Sequence, residues 1–251
     1  MRIFMLGLMA LFTVLSNRQA AHATDQKNIL VSVPALHSLV SDLMAGVATP
    51  DLLFAHADDL NNPHLSNNQK NKIAHADMLV WVGPKYESNL IPLRLSHPEL
   101  VRKELTLSDN IPLFHKPIAQ AARNADYFGD MKFWLDPRLA KMAVRRMSAM
   151  LVSQFPDNYE HILDNEIALI AKLKKLESKM HQVLKSNKSV PVNVPKSDVL
   201  YLAWRFNLDV PNCAQAAAKL QGFDRTSGPE QYFAMMDDIL EDLRVCQLHQ
   251  V

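Results

Sequence analysis

A chain of 251 residues with 27 basic against 26 acidic side chains carries a formal charge of +1, without the basic excess of a nucleic-acid or anionic-membrane binder. Its 48% hydrophobic content supports buried cores and excludes general disorder. Six glycines leave little material for a phosphate-cradling loop, and neither a nucleophile elbow nor a His-Glu-x-x-His helix occurs, so no enzyme is expected.

Met1-Arg2 precedes an apolar run over residues 3–15 and then Ala21-His22-Ala23. A positive start, an apolar core too short to span a bilayer and a small-x-small site predict a signal peptide over residues 1–23, cleaved after Ala23. Cleavage removes Arg2 and Arg18, leaving 25 basic residues against 26 acidic, and no later segment resembles a membrane span. In an oxidising compartment Cys213 and Cys246, 33 residues apart, predict a disulfide. Closing a loop of that length stabilises by about 3–4 kcal/mol.

The mature chain opens with a strand over 28–33, stopped by Pro34. A helix over 36–44 follows, with Leu36, Leu39, Val40 and Leu43 at i, i+3, i+4, i+7 spacing and Gly46 at its end. Strands at 52–55 and 78–82 bracket a long polar loop and an amphipathic helix ending Ile73-Ala-His-Ala-Asp77, which makes one βαβ unit of a parallel sheet. Helical stretches over 87–104 are interrupted by Pro92 and Pro98, a strand is expected at 104–107, and residues 108–130 show no period. Asp136-Pro137 caps and opens a strong helix whose Leu139, Met142, Ala143, Met147 and Met150 line one face, the methionines as core filler. After Pro156 a second helix runs from 157 to about 185, roughly 40 Å at 1.5 Å per residue. Leu163, Ile167, Ile170, Leu173, Leu176, Met180 and Val183 form its apolar stripe, and Lys172, Lys174, Lys175, Glu177 and Lys179 read as its solvated face. A strand at 189–194 and helices at 197–206, 215–220 and 229–246 complete the chain.

The loop over 55–68 leaves the carboxyl end of a strand, where open α/β sheets bind ligands. It carries His56, Asp58, Asp59 and His64, residue types suited to a transition metal, so His56, His64 and Asp59 form a candidate metal site. The plainer alternative is a solvated polar loop. His37 is expected to be packed or capped, His75 exposed, and His161 and His181 unpaired.

Pro34-Ala-Leu-His-Ser-Leu-Val40, Ala74-His-Ala-Asp77 running into Val80-Trp-Val-Gly-Pro84, and Trp134-Leu-Asp-Pro137 stand in this order. Tyr201-Leu-Ala-Trp-Arg-Phe-Asn-Leu208 and Gly228-Pro-Glu-Gln-Tyr-Phe-Ala-Met-Met236 follow them. Together these segments resemble the periplasmic zinc/manganese-binding proteins of ABC importers, the zinc-uptake solute-binding proteins above all. The resemblance spans nearly the whole mature chain.

The resemblance implies an α/β fold of two lobes joined by a long helix, here with a truncated second lobe. The implied organisation is an N-terminal lobe over 24–156, a linking helix over 157–187 and a reduced C-terminal lobe over 188–251, with Cys213–Cys246 stapling the small lobe. It implies a periplasmic monomer, zinc as cargo and an inner-membrane ABC permease as partner. The family holds metal with three histidines, and the three matching positions here are Asn61, Lys132 and Lys196. A lysine ammonium has no lone pair to give, and two of them would repel a divalent cation. Two readings follow: a solute-binding protein that captures and delivers metal, or a pseudo-binding protein that acts through protein contacts or on an anion held between Lys132 and Lys196.

Overall fold

The computed structural model describes residues 27–96, 98–109, 111–113, 131–185, 200–206 and 227–248. Four short parallel strands, β1 (Ile29–Val31), β2 (Asp51–Leu52), β3 (Met78–Trp81) and β4 (Glu104–Thr106), lie in the order β2-β1-β3-β4. Val31 pairs with Leu52 on one side and Val80 on the other, and Val80 in turn with Leu105. The apolar runs at β1 and β3 are buried along their whole length, as a sheet covered on both faces requires. β2 is shorter than expected, although Leu53 and Phe54 still donate to Val31 and Ser32 at 2.8 and 3.0 Å.

Between the strands stand α1 (Pro34–Leu43), α2 (Ala57–Asn61), α3 (Asn67–Ala74), α4 (Ile91–Ser96) and α5 (Pro98–Val101). Pro34 at the first turn supplies a preset φ and gives up a donor that would be orphaned there anyway. Ser66 and Gln69 close a reciprocal capping box at the start of α3. α6 (Pro137–Gln154) opens on the Asp136 side chain, which accepts from the Arg138 amide at 2.9 Å. The long helix α7 (Tyr159–Lys185) packs along α6 and α1.

The end of α1 shows why α7 sits there. Asn165 donates to the Leu43 and Ala45 carbonyls at 2.9 and 3.0 Å, and His161 Nε2 donates to Ala45 at 2.9 Å. These bonds satisfy carbonyls that the helix end leaves open. Gly46 turns the chain at φ +78°, and a Cβ there would lie 2.9 Å from His161 Nε2. His161, expected to be unpaired, is a helix-capping residue.

α8 (Leu200–Phe206) contacts the turn Phe133–Leu135 and α7, while α9 (Gln231–Leu248) packs on α1 and α7. Tyr232 makes the junction: its amide donates to Ser38 Oγ at 2.9 Å and its hydroxyl to the Trp134 carbonyl at 2.7 Å, both buried. The final helix therefore completes the core built on the sheet.

Two expectations for α7, for His181 and for its apolar stripe, are corrected. Its charged run is exposed as expected apart from half-buried Glu177, and three of its residues also pair with neighbouring segments. Lys172 pairs with Glu230 and lies 3.9 Å from Asp42, Lys179 reaches Asp237 at 2.7 Å, and Glu177 accepts from Lys141 at 2.6 Å and Arg205 at 3.0 Å. His181 is likewise not alone, lying 3.2 Å from Arg205 and edge-on to Phe206. Conversely, Leu163 and Ile167 of the expected apolar stripe are 40% and 69% exposed.

Residues 1–23, the strand expected at 189–194, the helix expected at 215–220, Lys196 and Cys213 lie outside the described residues. Cys246 stands on α9. Among the described residues no helix is long and apolar enough to cross a membrane.

Candidate ligand site at the carboxyl end of the sheet

In a sheet ordered β2-β1-β3-β4 the chain reverses direction between β1 and β3, and the crevice beyond their carboxyl ends is where such folds bind ligands. Here that crevice is occupied by a side chain. Ser32, just past β1, donates its hydroxyl to Glu87 Oε1 at 2.5 Å, and the Val82 and Gly83 amides past β3 donate to Glu87 at 3.1 and 2.8 Å. Glu87 is wholly buried, and burial pushes its pKa up to about 7 against three donors that pull it down. Gly83 is needed for this turn: its φ is +145°, and a Cβ would meet Ser108 Oγ at 2.2 Å. Neither apolar periodicity nor the Trp-Val-Gly-Pro segment marks Glu87 as a site residue; the only signal was an acid four residues after a strand-ending glycine.

The wall behind this crevice is aromatic. Trp134 is buried, with Tyr86 and Phe133 meeting it edge to face at centroid distances of 5.6 and 5.5 Å. Asp136, fully buried, holds Arg138 at 3.0 Å and has Arg205 at 3.9 Å. The Trp134-Leu-Asp-Pro137 segment is thus a core tryptophan, a helix cap and a first-turn proline in one stretch. Lys132, expected from the family resemblance at the second ligand position, is half-buried at the start of the turn Phe133–Leu135.

The loop beyond β2 is folded more than its polar sequence suggested, because Ala57–Asn61 form α2. The His56 amide donates to Asp59 Oδ2 at 3.1 Å, so that carboxylate caps the helix it belongs to. The His64 amide donates to Asn62 Oδ1 at 2.9 Å, and Asn89 clamps the loop from outside by donating to the Asp59 and Asn62 carbonyls at 2.8 and 3.1 Å. His56, Asp58, Asn61 and His64 are exposed and Asp59 is half-buried. The structure brings His56 and Asp59 together through backbone capping. Among the described residues no three His, Cys, Asp or Glu side chains converge as a metal would require.

His37 is buried as expected, its Nε2 donating to the Pro50 carbonyl at 2.9 Å, and burial holds its pKa below the ordinary histidine range. It borders a cavity of about 680 Å³ beside Asp51, Lys72 and Gly228, at the opposite, amino-terminal end of β2.

Residues 29–231 match the family model described as zinc-uptake complex component A, periplasmic. The chain is 34% identical over 68 residues to the high-affinity zinc uptake system protein ZnuA of Brucella abortus. That match covers 27% of this chain and only 20% of the curated relative's length. Among solved structures, the fold is similar to Zn(II)-bound AdcA of Streptococcus pneumoniae at TM-score 0.69 and 17% identity, covering 88% of this chain and 57% of that one. It is also similar to the Zn(II)-bound ZnuA-like domain of the same protein, at TM-score 0.66 and 18% identity, covering 88% and 98%. At such identities the likeness is one of fold.

Proposed function

The chain belongs to the zinc-uptake complex component A family, and we propose that it works as a periplasmic solute-binding protein beside an ABC permease of the inner membrane. The observation that carries this reading is the family match from the first strand to the start of the final helix. The parallel sheet and long helix common to the solved relatives support it. The family comprises solute-binding proteins and is not an enzyme class, which agrees with the lack of a catalytic motif. Export through residues 1–23 and a Cys213–Cys246 disulfide belong to the same reading.

On this reading the cargo is zinc, and the open question is which atoms would hold it. Asn61 and Lys132 do not fit it: an amide oxygen is a poor zinc ligand alone, and an ammonium offers no lone pair. The fitting donors near the crevice are His56, His64 and Asp59, so a rebuilt site on the α2 loop would have to draw Asp59 off its cap. A second reading is favoured by Lys132 and Lys196 at two ligand positions: the scaffold keeps its partner contacts, zinc binding is lost, and the lysines serve an anion.

Calorimetric titration of zinc into residues 24–251, beside His56→Ala and His64→Ala, separates the two. Metal delivery from the loop requires submicromolar binding that falls at least tenfold in each variant, since each removes one of three ligands. An isotherm without heat at micromolar zinc retires metal delivery and leaves the second reading.

A further inference from the structure

We propose that Asn89 is the positioning residue of the loop from His56 to His64: its amide fixes where that loop stands at the carboxyl edge of the sheet, and with it the aim of His56, Asp59 and His64. This role rests on the metal-delivery reading, since it places the donors of that site. Among the described residues, the only hydrogen bonds between residues 56–64 and another element are the two that Asn89 Nδ2 donates, to the Asp59 carbonyl at 2.8 Å and the Asn62 carbonyl at 3.1 Å. The side-chain bonds of the loop itself stay inside it, from the His56 amide to Asp59 and from the His64 amide to Asn62. Leu60 and Leu65 pack against the core. Apolar contact is non-directional, so it holds the loop down without setting its rotation. Hydrogen bonds to two carbonyls three residues apart do set it.

The arm that carries this clamp is itself fixed. Asn89 stands in the short turn Ser88–Leu90, two residues beyond Glu87, and the buried Leu90 donates its amide to the Glu87 carbonyl at 3.0 Å. Glu87 is tied in turn to Ser32, Val82 and Gly83, so the ends of β1 and β3 set the place of Asn89. Its two acceptors belong to the closing turn of α2, where a helix end leaves carbonyls open, and they stand on either side of Leu60 and Asn61. Asp59 caps the start of the same helix. α2 is therefore held at both ends, and only the far end is held from outside. Packing alone does not account for Asn89. Its Oδ1 is buried with no hydrogen-bond partner among the described residues, a cost that an apolar side chain of similar size avoids. The opposite amide orientation would turn Oδ1 toward two carbonyl oxygens, so the pair of acceptors decides which end faces the loop.

Amide exchange and zinc calorimetry on residues 24–251 test the assignment with Asn89→Asp and Asn89→Leu. Asn89→Asp keeps the shape and replaces both amide donors by acceptors, while Asn89→Leu keeps apolar contact and also removes the buried Oδ1. Both should speed exchange over Ala57–Asn61 by at least about tenfold, the loss of two hydrogen bonds, with protection in β1 and β3 unchanged. Those unchanged strands verify that the variants fold. Zinc held by the loop should bind at least about tenfold more weakly in both variants, although each keeps His56, Asp59 and His64. Protection over α2 that survives in Asn89→Asp overturns the proposal, because shape and not the donors would then hold the loop. So does loosening that spreads into β1 and β3, or loop-bound zinc whose affinity neither variant moves. An unaltered chain that takes up no zinc retires the metal-delivery reading instead, and exchange over α2 then decides alone whether Asn89 fixes the loop.

Discussion

The Ser32–Gly83–Glu87 cluster and the loop from His56 to His64 both follow carboxyl ends of strands in one sheet, and they are built in opposite ways. In the first, a carboxylate with no exposure takes three donors from two strand ends, so removing any partner leaves a buried group unsatisfied. In the second, exposed side chains cap their own short helix and are held through backbone carbonyls by Asn89. The first region specifies the scaffold and tolerates little change. The second, which includes exposed Asn61, carries small local energies and can change residue by residue without loss of fold. The buried cluster can therefore stay fixed while the exposed loop beside it changes.

The largest effect is expected on the rigid side. Glu87→Ala strands the Ser32 hydroxyl and two amides, and should lower unfolding free energy by about 3 kcal/mol or more in urea denaturation. A loss below about 1 kcal/mol would mean that water satisfies the cluster, and the contrast between the regions would collapse. The pH dependence sharpens the same point. Glu87 titrates near 7 in the fold and near 4.5 when unfolded, so the native state holds a proton that the unfolded chain has released between those values. Stability from this group is full below about 4.5 and is lost as pH rises through about 7, by up to roughly 3 kcal/mol. Asp42, raised to about 6 by burial and by Glu230 despite Lys172, acts in the same direction over a narrower window. Glu87→Gln should flatten the profile, leaving the Asp42 slope and the opposing one from buried His37; an unaltered profile would assign the dependence to other groups.

A smaller loss is expected where the final helix meets the same wall. Tyr232→Phe keeps the ring and removes the buried donor to the Trp134 carbonyl, for about 1–2 kcal/mol in the same denaturation series. Values near zero would mean that the hydroxyl bond adds nothing net and that α9 is held here by ring packing and the Tyr232 amide bond to Ser38.

How much of this was legible follows from which forces leave a periodic trace. β1, β3 and the start of α6 could be read directly, because continuous apolar runs and an Asp-Pro cap are local signals. Glu87 could not, since nothing in its neighbours announces that an acid will be buried; its partners lie on two strands brought together only by the sheet. The ion pairs of the exposed charged run of α7 left no trace for the same reason. Lys172, Lys179 and Glu177 find partners at Glu230, Asp237, Lys141 and Arg205, none of them within reach along the helix itself. Leu163 and Ile167 fell into the expected stripe of α7 although they are exposed, because spacing alone does not separate a buried face from an exposed one beside it. The expectation that Asn61 and Lys132 replace histidine ligands rested on the family pattern alone, while the capping duty of Asp59 needed coordinates.

The smallest effect belongs to the loop, and it bears most directly on the metal question. Asp59 serves the His56 amide as a cap, and replacing it with Ala should cost about 0.5–1 kcal/mol, confined to α2. Amide exchange would register this as faster opening over Ala57–Asn61 with unchanged protection in β1 and β3. The same variant discriminates between the two duties open to this carboxylate. If zinc binds through His56, His64 and Asp59, metal and helix compete for one group, so zinc should itself speed exchange across α2 in the unaltered chain while slowing it at His56 and His64. If the loop holds no metal, zinc leaves exchange unchanged and Asp59→Ala frays α2 identically with or without it.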